Sequence, residues 1–245
     1  MSQLILTAEE QGVFTITLNR GDKKNALTNA MYQQLCQYFA YAEQTASIHC
    51  VVIQGNEHCF CAGNDLADFL QCTADDDLAA LEFVKVLSQF TKPLIASVAG
   101  VAVGIGTTLL LHCDMVIAAT NSYFQLPFTK LALCPEAGSS LLLTQKVGAN
   151  KAFELMVLGE SFNAEQALEF GIVNKVCQSE ELIAQTIEVA KTIANLPVES
   201  VMTSRKLIRQ ANNSLLKQTI EDESQAFFKL VNSADCKKII AKFFK

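Results

Sequence analysis

Hydrophobic positions along this chain recur with two periods, and the alternation between them predicts its elements. Residues 13 to 18, VFTITL, alternate apolar and polar, which predicts a strand with one buried face. A polar turn, NRGDKKN, follows. Thr28 can then cap a helix on which Met31, Leu35, Tyr38, Phe39 and Ala42 fall on one face. The continuous apolar run CVVIQG at residues 50 to 55 predicts a strand covered on both faces. The order recurs, with LEFVKVLSQF as helix, KPLIASVAG as strand into turn, GIGTTLLLHCD as helix and MVIAAT as strand. This alternation specifies an α/β fold with mostly parallel pairing. From about residue 148 helices take over, with Asn163 and Ser179 as candidate caps and Gly171 as a stop. The last fifty or so residues read as a helical appendage. The apolar faces in AFFKLV and IIAKFF are expected to pack on the core or on a neighbouring subunit.

Composition narrows the class. A chain of 245 residues, half of them hydrophobic, is long enough for one substantial core plus an appendage. No apolar run approaches the roughly 20 residues that span a bilayer. MSQLILTAEEQG lacks the basic start and apolar centre of an export signal, and AKFFK is neither a peroxisomal address nor a prenylation box, so a cytoplasmic location is expected. Nine scattered cysteines and three histidines, His49, His58 and His112, form no disulfide framework or ligand pattern; reduced thiols and no metal are expected. The net charge of −6 argues against nucleic acid as the main partner. Two basic islands, RGDKKNA and CKKIIAKFFK, read singly as solvated lysines, although a small anion could dock on either.

Two segments place a strand, then small residues, then a helix. In CFCAGNDLADFL, residues 59 to 70, Gly63 permits a tight turn and Asn64 or Asp65 can cap the helix. In SVAGVAVGIGTTLLLH, residues 97 to 112, Gly100, Gly104 and Gly106 leave the backbone bare before a helix. Each could present free amides to a ligand oxygen, while close packing of helix on strand explains the glycines equally well. A dinucleotide fingerprint would need a further glycine at Leu109, and no G-K-[ST] loop is present. In LALCPEAGSS, residues 131 to 140, Pro135 and Glu136 read locally as the opening of a helix, where proline fits and a carboxylate meets the dipole favourably. Apolar surroundings would raise the Glu136 pKa and a helix start would lower it. TADDDLAALEF reads as an acid-rich helix start, its helix a candidate wall for an acyl pocket, and Phe69, Phe83, Phe90 and Phe128 read as core.

Taken in order, NRGDKKNALT, CFCAGNDL, KPLIASVAGVAVGIGTTLLLHCDMVIAAT, YFQLPFTKLALCPEAGSS and KAFELMVLGESFNAEQALEFGIVNKV resemble the enoyl-CoA hydratase/isomerase, or crotonase, family. The resemblance implies an α/β spiral of strand–strand–helix (ββα) units over residues 1–195 and a C-terminal helical oligomerisation region over 196–245, assembled as a homotrimer or a dimer of trimers. It implies an acyl-CoA thioester substrate, with coenzyme A as part of the substrate and no separately bound cofactor. By position the two backbone donors for a thioester enolate would be Ala62 and Ile105. Lys24, Ala26, Ala62, Gly63, Asn64, Asp65 and Leu66 would line the CoA path, Asp65 also reading as a helix cap. Hydratases of the family carry two glutamates where this chain has Thr108 and Phe128. Glu136 matches instead the single catalytic glutamate of the Δ3,Δ2-enoyl-CoA isomerase branch, placed in fatty acid β-oxidation. A hydratase or other acyl-CoA reaction and a non-catalytic acyl-CoA-binding protein are the alternatives; an RNA-binding role sits poorly with the acidic balance.

Overall fold

Among the described residues ten strands divide between two sheets, and through the middle of the chain consecutive strands alternate from one sheet to the other. The computed structural model describes residues 3–71 and 79–244. The strands are β1 Ile5–Glu10, β2 Val13–Leu18, β3 Cys50–Gln54, β4 Cys59–Cys61, β5 Leu94–Val98, β6 Val101–Val103, β7 Met115–Ala119, β8 Tyr123–Gln125, β9 Phe162–Asn163 and β10 Lys175–Cys177. The helices are α1 Asn29–Gln44, α2 Leu66–Gln71, α3 Ala79–Gln89, α4 Ile105–Thr108, α5 Ser139–Val147, α6 Ala149–Phe153, α7 Ala164–Glu169, α8 Leu182–Ala194, α9 Val198–Gln210, α10 Asn213–Val231 and α11 Ala234–Ile240. The larger sheet runs β1-β2-β3-β5-β7-β10 and the smaller β4-β6-β8-β9. Among these strands only β1–β2 and β8–β9 pair antiparallel. The pairs β3/β4, β5/β6 and β7/β8 each send one strand to each sheet, which makes the chain a spiral of ββα turns.

Local chemistry explains the elements that the pattern predicts. The Thr28 side chain accepts from Met31 N and starts α1, which buries Met31, Tyr32, Leu35, Phe39 and Ala42. Burying each of the larger side chains is worth about 1.5–3 kcal/mol. Phe39 meets Phe83 of α3 and then Phe90, at ring separations of 5.9 and 4.9 Å, which locks α1 against α3. Phe83, Phe90 and Phe128 are all core residues. The Phe69 side chain and residues 73–78 of the acid-rich stretch lie outside the described residues.

Three expectations shift. Helix α8 starts at Leu182 with no side-chain cap, so Ser179 is not its cap, whereas Asn163 and Gln166 form a reciprocal capping box on α7. The segment read as one helix from residue 104 is a single turn, α4, continued as a 3-10 helix over Leu109–His112. Most consequentially, α5 begins at Ser139, three residues after Glu136, so Pro135 and Glu136 do not open it. The C-terminal helices fold back on the core: Leu216, Ile220, Phe227 and Val231 of α10 and Ile240 of α11 are buried. Among the described residues no helix is long and apolar enough to cross a membrane.

Candidate active site

One side of the site is made of backbone. Strands β4 and β6 run parallel, Cys59 opposite Val101 and Cys61 opposite Ala102. Where they end the chain is tightly packed: a Cβ on Gly106 would stand 2.4 Å from the Cys61 carbonyl oxygen, so only glycine lets the start of α4 sit there. Ile105 is the first residue of α4, where an amide has no intrahelical acceptor, and among the described residues nothing else accepts from it.

The partner donor differs from the sequence expectation. Ala62 N donates to Lys24 O at 2.9 Å, which leaves it unavailable to a ligand. Leu27 N donates to Gly63 O at 2.8 Å and Asp65 N to Leu27 O at 2.9 Å, stitching the 24–27 loop to the turn after β4. The amide that this pattern leaves without an acceptor, among the described residues, is that of Asn64. The free amide expected at Ala62 therefore lies two residues further on, because the neighbouring loop takes up the first.

Asn25, fully buried, anchors that loop through its Nδ2, which donates to Cys59 O and Phe60 O at 3.0 Å each. Arg20 adds bonds to Ala26 O at 2.8 Å and to Asp65 Oδ2 at 2.7 Å. The second Asp65 oxygen accepts from Ala67 N at 3.0 Å and caps α2. Each oxygen of Asp65 thus accepts one hydrogen bond within the protein, and the capping role that the sequence also offered is present. Lys24 is exposed, Ala26, Asn64 and Leu66 are half-buried, and Gly63 is buried. The Asn64 side chain accepts from the buried Tyr32 hydroxyl at 2.5 Å.

The other side of the site is a carboxylate on an irregular turn. Glu136 is 7 % exposed, and its Oε1 accepts from the Thr108 hydroxyl at 2.6 Å. Ala137 and Gly138, at φ 60° and 71°, are both left-handed. That conformation costs an alanine about 1–2 kcal/mol, so contacts from elsewhere must hold it. His112 supplies one, its Nε2 lying 2.7 Å from Ala137 O. Burial keeps that ring neutral by pushing its pKa down to about 4, so Nε2 carries the proton and donates. Glu223 of α10 supplies two more, accepting from Gly138 N at 2.6 Å and Ser140 N at 2.8 Å. The local sequence around Glu136 gives no sign of His112 or Glu223, which lie 24 residues before and 87 after it.

Burial pushes the Glu136 carboxyl up to about 8; the Thr108 hydrogen bond works against this and the Glu223 carboxylate adds to it. The opposing influences read from sequence resolve this way because Glu136 is not in the first turn of α5, whose amides at Gly138 and Ser140 are met by Glu223 instead. Such a carboxyl can accept and return a proton near neutral pH. Phe128, 4 % exposed, offers no acid–base group.

A ββα spiral that sets two unpartnered amides at the ends of adjacent strands, with a buried carboxyl on a turn nearby, defines a crotonase-fold enzyme. A sequence profile described as enoyl-CoA hydratase/isomerase matches residues 8–245. The 2,3-dehydroadipyl-CoA hydratase of Escherichia coli is 34% identical over 251 residues, covering 100% of this chain and 96% of that protein. Enoyl-CoA delta isomerase 2 of Rattus norvegicus is 33% identical over 99% of this chain and 63% of its own length. The crystal structure of an enoyl-CoA hydratase/isomerase from Pseudoalteromonas atlantica superposes with a TM-score of 0.94 at 35% identity, covering 99% of this chain and 97% of that one. The chain belongs to the enoyl-CoA hydratase/isomerase family.

Proposed function

We propose that this enzyme is a Δ3,Δ2-enoyl-CoA isomerase. Glu136 removes a proton from C2 of a 3-enoyl thioester, the electron pair moves into the thioester as an enolate, and the same carboxyl returns the proton at C4 to give the 2-enoyl product. The Ile105 and Asn64 amides donate to the enolate oxygen, and donors fixed beforehand stabilise it without reorganisation. The observation that carries this reading is the raised carboxyl of Glu136 held by Thr108, with a hydroxyl and an apolar ring at the positions where hydratases have glutamates. One group suffices because the proton is moved and not consumed; hydration would need a second group to activate water. The exposed Lys24 with Ala26, Gly63 and Leu66 flanks the path of the CoA moiety. Leu207 and Ile208 of α9 and Leu215 of α10, all exposed, are the surfaces on which we expect copies to assemble as a trimer or dimer of trimers.

The test is direct. The protein given trans-3-hexenoyl-CoA generates the conjugated thioester absorbance, and Glu136→Gln lowers kcat at least about 1000-fold with KM little changed. Crotonyl-CoA is hydrated slowly or not at all. Absence of conjugation at every chain length, or full activity in Glu136→Gln, overturns the assignment; rapid formation of 3-hydroxyacyl-CoA replaces it with a hydratase.

A further inference from the structure

We propose that Glu223 and His112 are positioning residues for Glu136, so that helix α10 is a working part of the catalytic site as well as an oligomerisation element. The inference rests on the reading of Glu136 as the base. The local backbone bonds of the Glu136 turn are Ser139 N to Glu136 O at 3.1 Å and, where it joins α5, Leu141 N and Leu142 N to Gly138 O at 3.1 and 2.9 Å. Everything else that fixes it arrives from two remote directions. Thr108 ends α4 and His112 ends the 3-10 helix that continues it, so one short helical segment grips both the carboxyl and the carbonyl of the following residue. The segment that presents an enolate donor therefore also sets the direction of the base.

From the opposite side α10 closes over the turn with three residues spaced along one face, Leu216, Ile220 and Glu223. A Cβ on Gly138 would stand 2.4 Å from Leu216 Cδ1 and 3.3 Å from Ile220 Cγ1, so the helix lies directly on the turn. Glu223, 8 % exposed, holds Gly138 N and Ser140 N with its two oxygens. A cap from the adjacent chain would have satisfied the start of α5. Placing the acceptor 85 residues away ties the geometry of the base to the docking of α10.

Glu223 also sets the charge around the base. The titratable side chains facing Glu136 are Tyr32 from α1, Cys61 from β4, Cys134 from its own loop and Glu223 from α10, with neutral His112 beside the turn. Burial pushes Tyr32 well above its usual range, Cys61 up to about 12 and Cys134 up to about 11, so all three are uncharged near neutral pH. Burial raises the Glu223 carboxyl above its ordinary range and the hydrogen bonds from Ser140 and Gly138 pull it back, so that in its ionised form it is the group whose charge raises the Glu136 carboxyl further.

Glu223→Gln removes the carboxylate that raises the Glu136 carboxyl and leaves one oxygen for two amides. It lowers kcat at least about tenfold with KM for the thioester changed less than about threefold, and the acid limb of kcat/KM moves to lower pH. Glu223→Asp, which keeps the charge, restores the limb while kcat stays reduced. A cap with a purely structural role would lower the melting temperature and leave the limb of the folded enzyme in place. Should Glu223→Gln not fold, His112→Leu, which leaves α10 untouched, decides: it lowers kcat with KM unchanged. Wild-type kcat and acid limb in the folded variants, with Glu136→Gln inactive, overturn the clamp alone. Activity in Glu136→Gln instead overturns the reading on which it rests.

Discussion

Ile105 and Asn64 present main-chain donors at the ends of strands, whereas Glu136 rides on a turn without regular structure. The amide side is fixed by strand pairing between β4 and β6 and by glycine at 106, elements whose geometry comes from the backbone. The carboxylate side is fixed by side chains: the bonds from Thr108, His112 and Glu223 span 28, 25 and 85 residues. Donors built from backbone tolerate side-chain change nearby. A base aimed by side chains is adjustable in direction and in pKa, and correspondingly fragile. The contrast yields a graded set of expectations.

The largest effect is expected at Glu136, the base of the proposed reaction. The folded pKa of Glu136, raised to about 8 from an ordinary 4.5, means that ionising it opposes folding. The destabilisation is absent at low pH, grows as pH rises through the unfolded value, and levels off above the folded one. Glu136→Gln, besides losing activity, is therefore more stable than the parent by on the order of 3 kcal/mol at pH 7. Urea denaturation at pH 5 and pH 8 checks this, since the gap between the two proteins must widen with pH. A gap of constant size would mean that the carboxyl is not held in a dry site, and the contrast between the halves would lose its physical basis.

On the amide side the vulnerable position is a glycine. Gly106→Ala sets a Cβ 2.4 Å from Cys61 O, a backbone atom that cannot swing away, so α4 must shift and carry the Ile105 amide with it. Loss of one such donor is worth about 3 kcal/mol, roughly 100-fold in kcat/KM. Retention of full activity would show that the Ile105 amide is not where the negative oxygen sits.

How far each half could be read from the sequence follows from the same contrast. Thr28, the Asn163 capping box and the strand–glycine–helix junctions are local, and the residues around them specify them. The three-residue strands β4, β6 and β8 are too short to show a period, and their pairing is set by the spiral as a whole. Asn64 in place of Ala62 as the free donor depends on which amide the 24–27 loop engages, a contact across the fold that spacing cannot reveal. Pro135 and Glu136 read locally as a helix start, which the left-handed Ala137 and Gly138 displace to Ser139. Glu223 reads locally as one more acid on an amphipathic helix, and only the docking of α10 onto Gly138 gives it meaning.

Smaller effects sharpen the contrast. Thr108→Val keeps the shape of the side chain and deletes the hydroxyl donor to Glu136. Because that bond favours the ionised carboxylate, its loss moves the acid limb of kcat/KM to higher pH, and activity at pH 7 falls about tenfold. An unmoved limb would separate Thr108 from the titration of the base.

The smallest effect belongs to Asp65, beside the amide donor. Its carboxylate caps α2 through Ala67 N and binds Arg20, and both jobs concern the loop and helix around the donor, not the donor itself. Asp65→Ala should lower stability by about 1 kcal/mol, the usual worth of a lost cap, with little added by an ion pair that is partly exposed to water. The Asn64 amide keeps its direction through the backbone bonds between Leu27 and the flanking residues Gly63 and Asp65, which no side-chain truncation removes. We therefore expect kcat within about threefold of the parent and a modest rise in KM as the 20–27 loop loosens. Should Asp65→Ala instead depress kcat as strongly as Thr108→Val, the amide half would depend on side chains as much as the carboxylate half does, and the distinction between them would fail.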